Sequence, residues 1–124
     1  MKMVIGGAYQ GKLCFAKEQY PEIPWIDGET CTEEEVYSCQ GICNFHRFLE
    51  RSLHEEKNVQ EIAEKLMQRN PDVVIVTDEI GYGIVPVDPF LREYREQTGR
   101  VCTGLAAFSE EVYRVVCGIG TRIK

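Results

Sequence analysis

Apolar positions along the chain fall into two kinds of run. Short unbroken runs occur at Lys2–Ile5, which enters Gly6-Gly7, at Val73–Val76 within residues 72–77, and at Val112–Cys117. Val73, Val74, Ile75 and Val76 are all β-branched, so that run predicts a strand buried on both faces, as in a parallel sheet. Ile23–Ile26 predicts a weaker strand, because Pro24 cannot donate to a ladder. Elsewhere the apolar residues recur at helical spacing. Residues 11–18 predict a first helix that Tyr20–Pro24 ends. Thr32 and Glu35 form a capping-box pattern, and Ile42, Phe45, Leu49 and Leu53 extend one predicted helix to about Glu56. Val59, Ile62, Ala63, Leu66 and Met67 mark another, ended by Asn70-Pro71. Asp88 as N-cap and Pro89 at the first position open a last helix, lined by Phe90, Tyr94, Val101, Leu105 and Phe108. Gly99 and Gly104 each weaken it by about 1 kcal/mol.

Strands alternating with helices predict an α/β fold with a small, mainly parallel sheet flanked by helices. The 124 residues suit one domain spanning residues 1–124. Three clear strands leave sheet edges to cover, which points to a homo-oligomer.

A net charge of −6 supplies no basic excess to neutralise phosphates, so nucleic acid and anionic membrane are disfavoured as partners. No stretch reaches the ~20 apolar residues of a membrane span. The opening Met-Lys-Met-Val-Ile-Gly-Gly lacks the apolar core of a signal peptide, so the expected location is cytoplasmic. Cys14, Cys31, Cys39, Cys43, Cys102 and Cys117 are then expected as reduced thiols.

The sharpest chemical signal is Gly6-Gly7-Ala8-Tyr9-Gln10-Gly11-Lys12-Leu13. It follows a strand, opens a helix and matches the phosphate-binding P-loop until its last position, where Ser or Thr belongs. In such a loop the backbone N–H groups converge on phosphate oxygens, and the lysine reaches the outer phosphates. The expected ligand is ATP or GTP. Leu13 has no oxygen for Mg²⁺, so metal comes from elsewhere or is dispensable to binding. Asp78 and Glu79 follow the central strand at its carboxyl end, where α/β sheets bind ligands; they are candidates for Mg²⁺ or for a substrate proton. Solvated loop carboxylates explain them equally well. His46 and His54 read as helix-surface or half-buried side chains. Cys39, Cys43 and His46 suggest zinc, but on one helix the first and last stand about 10 Å apart along the axis.

Val76-Thr-Asp-Glu-Ile-Gly-Tyr-Gly-Ile-Val-Pro86, then Gly99-Arg100, Leu105-Ala106, Glu111-Val112, Val115-Val116 and Gly118-Ile-Gly120, resemble the bifunctional adenosylcobinamide kinase/adenosylcobinamide-phosphate guanylyltransferase family. The loop at Gly6–Lys12 is similar to that family's Gly-Gly-Ala-Arg-Ser-Gly-Lys-Ser. The resemblance implies a P-loop NTPase-like fold, a corrinoid substrate, a trimer, and Lys12 and Glu79 as catalytic groups. It also implies that Asp27 matches an acidic residue contacting nucleotide. Tyr9, Gln10 and Leu13 depart from the loop pattern, Asp78 stands in place of Asn, and Cys102-Thr103 in place of Asn-Gln. The segment carrying the family's guanylyl-accepting histidine has no counterpart. Two readings follow: a kinase-like enzyme that has lost guanylyl transfer, or a non-catalytic nucleotide- or corrinoid-binding homologue serving regulation or assembly.

Overall fold

The computed structural model describes residues 1–80 and 85–124. Strands β1 (Lys2–Gly6), β2 (Trp25–Asp27), β3 (Gly41–Cys43), β4 (Val74–Asp78), β5 (Glu111–Val116) and β6 (Ile119–Arg122) form one sheet in the order β2-β3-β4-β1-β5-β6. Every pairing is parallel except β5 with β6. The expected α/β architecture is present. Its sheet is twice as wide as the clear strands predicted.

Alternation along the strands divides the core into two layers. Met3, Ile42, Ile75 and Val112 face one side of the sheet, under helices α3 (Phe45–His54), α4 (Val59–Arg69) and α5 (Pro89–Phe108). Val4, Cys43, Val76 and Val115 face the other, under α1 (Lys12–Gln19). Helices on both faces explain why β4 is buried along nearly its whole length.

The long helix expected from Thr32 to Glu56 is instead three elements. The capping box is present, but α2 (Glu33–Val36) is a single turn, and β3 follows before α3. Ile42 lies at helical spacing from Phe45 by coincidence; it belongs to the strand, and Asn44 at φ 52° separates the two. The Ile23–Ile26 expectation settles as the shorter β2. Helix α5 opens as expected, with the Asp88 side chain accepting from Phe90 N–H. Tyr94, Thr98, Val101 and Leu105 are its buried stripe, while Phe108 is exposed. Residues 81–84, within the Val76–Pro86 segment that carries the family resemblance, lie outside the described residues. No described helix is long and apolar enough to cross a membrane.

Candidate functional site

Strand β1 ends beside the end of β4, with Gly6 in register with Asp78. The chain then turns through residues 7–11 and enters α1. Gly11 closes the turn at φ 83°, a left-handed conformation that strains any residue with a Cβ. The loop is braced from the β5–β6 turn: Cys117 N–H donates to Gln10 Oε1 at 2.6 Å, and Gly118 N–H donates to the Gln10 carbonyl at 2.8 Å. Tyr9 projects fully into solvent.

Lys12 is buried and curls back under this loop. Its Nζ donates to the Gly7 carbonyl at 2.8 Å and lies 2.6 Å from Asp78 Oδ1. His46, in the first turn of α3, flanks the same carboxylate. The Asp78 N–H donates to His46 Nδ1 at 3.1 Å, and Nε2 lies 3.4 Å from Asp78 Oδ2. Tyr94 Oη donates to the His46 carbonyl at 3.2 Å, fixing that turn against α5. Burial lowers the His46 pKa; Asp78 opposes the shift, while Arg47 and Lys12 add to it. Accepting a hydrogen bond at Nδ1 requires the neutral ring with its proton on Nε2. Lys12, His46 and Asp78 thus share one cavity of about 220 Å³, walled also by Tyr9, Gln10, Gly11, Leu13 and Asn44. Backbone N–H groups, an ammonium and a helix N-terminus at the carboxyl end of a parallel sheet suit a phosphate group.

Other candidates lie elsewhere. Glu79 turns toward Arg114, whose Nε and Nη2 reach its two carboxylate oxygens at 3.0 and 3.3 Å. Its carboxylate lines a second cleft rather than the Lys12 cavity. Asp27 organises the turn after β2: its Oδ1 accepts from Glu29 N–H at 2.8 Å and from Asn44 Nδ2 at 3.1 Å. It is not part of the Lys12 cavity wall. Leu13 lines that cavity and packs on the α1-side core.

The oxygens around Lys12 do not fit a divalent cation held by protein alone. Leu13 offers none, Asp78 is engaged by Lys12, and Glu79 opens elsewhere. Among the described residues no group of three His, Cys, Asp or Glu side chains could hold a metal. Cys39, Cys43 and His46 do not share a helix: they lie after α2, in β3 and in α3. All six cysteines are free thiols, and burial pushes Cys39 up to about 11. The sequence reading of His46 as a helix-surface or half-buried side chain is corrected, since it is buried against Asp78, and Arg114 was not singled out. His46 was legible only to a reader who had separated β3 from α3, because its signal is a place one turn beyond a strand end.

A family model described as cobinamide kinase / cobinamide phosphate guanyltransferase matches residues 36–123, which span β3 to β6 and include His46, Asp78 and Arg114. The Gly6–Lys12 loop lies outside that match. The chain is 44% identical over 77 residues to the bifunctional adenosylcobalamin biosynthesis protein CobU of Salmonella typhimurium, covering 61% of this chain and 41% of that protein. It is 52% identical over 58 residues to the Escherichia coli protein of the same description, covering 46% of this chain and 32% of that one. The matched segments therefore span under half the length of these relatives. With a family match over most of its length and a mainly parallel sheet carrying a glycine loop and lysine at its carboxyl edge, this chain belongs to the cobinamide kinase / cobinamide phosphate guanyltransferase family.

Proposed function

We propose that residues 1–124 act as one cytoplasmic nucleotide-binding domain that holds ATP or GTP through the Gly6–Lys12 loop and phosphorylates a corrinoid alcohol. The reading rests on one observation above others: the Lys12 ammonium lies beneath the loop, 2.6 Å from Asp78 Oδ1. In the free chain Asp78 and the Gly7 carbonyl neutralise and hold Lys12. Phosphate oxygens compete for the same ammonium, and moving it to them releases one Asp78 oxygen. That oxygen is then available to accept the proton of an attacking hydroxyl. Catalysis of this kind is positioning plus charge stabilisation, which Lys12 and the loop N–H groups supply. Glu79, paired with Arg114, serves the acceptor side in this reading rather than a metal.

Guanylyl transfer through histidine is lost in this proposal. His46 is 4% exposed and both its nitrogens face Asp78, leaving none for a phosphorus atom. His54 stacks on Phe90 at 3.9 Å, outside the Lys12 cavity. A second reading, a nucleotide-binding homologue without turnover, is favoured by Leu13, which removes the hydroxyl that holds Mg²⁺ in related loops.

Calorimetric titration with ATP and GTP, with and without Mg²⁺, tests the shared core of both readings. Lys12→Ala is expected to weaken binding at least about tenfold, the scale of losing a charge-assisted contact. No binding at millimolar nucleotide, or binding indifferent to Lys12→Ala, removes both readings. Transfer of labelled γ-phosphate to cobinamide separates them. Labelled GTP should leave no acid-labile label on the protein; a stoichiometric label lost in His46→Ala restores guanylyl transfer.

A further inference from the structure

A second cleft, of about 490 Å³, opens on the α5 side of the sheet, walled by Ile5, Ile80, Thr98, Gly99, Cys102 and Ile123, with Asp78, Glu79 and Arg114 among the polar groups. Its size is ordinary for a small-molecule site. Three observations indicate what it takes. Thr98 is 1% exposed, lines the cleft, and its Oγ1 has no hydrogen-bond partner among the described residues. A buried hydroxyl without a partner is uncommon in native proteins, and a ligand hydroxyl or amide would satisfy it. Apart from Thr77 the rest of the wall is apolar, and its charged groups are already matched, Glu79 with Arg114 and Asp78 with Lys12. A charged ligand would lose its hydration there without gaining an opposite charge. Finally, Asp78 lines both this cleft and the Lys12 cavity, so one residue stands between the phosphate site and the cleft.

We infer that this cleft receives the phosphoryl acceptor as an uncharged arm bearing hydroxyl and amide groups, with its alcohol at Asp78 and one polar group on Thr98. The inference rests on the proposed function and adds the acceptor's place. The macrocycle of a corrinoid stays outside, and only the arm enters. The alcohol oxygen forms a bond to the γ-phosphorus as the bond from that phosphorus to the β–γ bridging oxygen breaks. The bridging electrons leave with the nucleoside diphosphate, and the hydroxyl proton passes to the Asp78 carboxylate.

Gly99 permits a clean test, because a Cβ placed there meets nothing within 4 Å and the residue lines the cleft. Gly99→Leu fills the cleft while improving helix propensity, so the fold should persist, and a thermal melt checks that it does. Absorbance titration with cobinamide should show affinity at least about tenfold weaker in Gly99→Leu, since a leucine cannot share a filled site. Thr98→Val should weaken cobinamide about fivefold, the usual scale of one lost hydrogen bond. ATP affinity, measured by calorimetry, should stay within about twofold in both variants, a change worth under half a kcal/mol. Cobinamide binding unchanged in Gly99→Leu overturns the inference, as does failure of the unmodified protein to bind cobinamide at millimolar concentration. If ATP binding remains sensitive to Lys12→Ala in either case, the phosphate-loop reading survives while the acceptor site falls.

Discussion

At the scale of single residues, Asp78 is held from two sides, and the hold depends on the charge of His46. The neutral ring accepts the Asp78 amide proton at Nδ1, whereas a protonated ring has no lone pair there and would face that N–H with another hydrogen. Burial lowers the folded pKa below the ordinary value of 6.5. Between the folded value and 6.5 the unfolded chain binds more protons than the folded one, so stability rises with pH in that window. The His46 contribution is complete above 6.5 and is lost as pH falls through the folded value. Thermal unfolding followed from pH 7.5 down to 5.5, above the range of ordinary carboxylates, should show a falling midpoint. His46→Asn, which keeps an acceptor near the amide but cannot titrate, should flatten that slope. An equal slope in the variant would assign the pH dependence to other groups. Lys12 was legible from the loop motif, and Asp78 from its place after the central strand. The contact of Asp78 with His46 was not, because it joins residues 32 positions apart through an element that the apolar pattern concealed.

At the scale of elements, local signals succeeded where a segment was long or chemically marked. Helix α4 begins at Val59 behind Asn58, whose side chain accepts from Gln60 and Glu61 N–H, and α5 begins behind Asp88 as its cap predicts. They failed for β3 and β6, of three and four residues. Segments that short carry too little period to distinguish strand from helix, and partner strands decide the outcome. Glycines extend the contrast between local and tertiary control. A Cβ on Gly28 would lie 2.1 Å from the Asn44 carbonyl oxygen, where β3 gives way to α3, and backbone cannot yield cheaply. Gly104, inside α5, has open space around its Cβ position. Gly28→Ala should therefore destabilise by about 1–3 kcal/mol. Gly104→Ala should stabilise by about 0.5–1 kcal/mol through helix propensity alone. Urea unfolding of both variants checks the pair; opposite signs are expected, and a stable Gly28→Ala would mean that the β2 turn does not press on Asn44 as described.

At the scale of the whole molecule, the sheet among the described residues ends in two edges, β2 and β6. The β2 edge is only three residues long and follows Pro24, a combination that discourages further pairing. The β6 edge lacks that protection. Ile119 is 70% exposed on it, with exposed Val116, Ile123 and Phe108 among the neighbouring segments. Apolar side chains beside a strand edge with no partner strand among the described residues make this region a favourable place for another copy of the chain to bind. The same turn between β5 and β6 braces Gln10 of the phosphate loop through two hydrogen bonds, so covering this edge would also steady the loop. We therefore expect a homo-oligomer, with the trimer implied by family resemblance as the leading form. Light scattering at micromolar concentration should give a mass above the 14.2 kDa of one chain. Ile119→Lys places a charge on the edge and should return the mass to that of a monomer. If association orders the loop, ATP binding by the variant should weaken along with it, and the melting temperature of the unmodified protein should rise with its concentration. A monomer at all concentrations would refute the assembly; an oligomer indifferent to Ile119→Lys would move the interface away from β6.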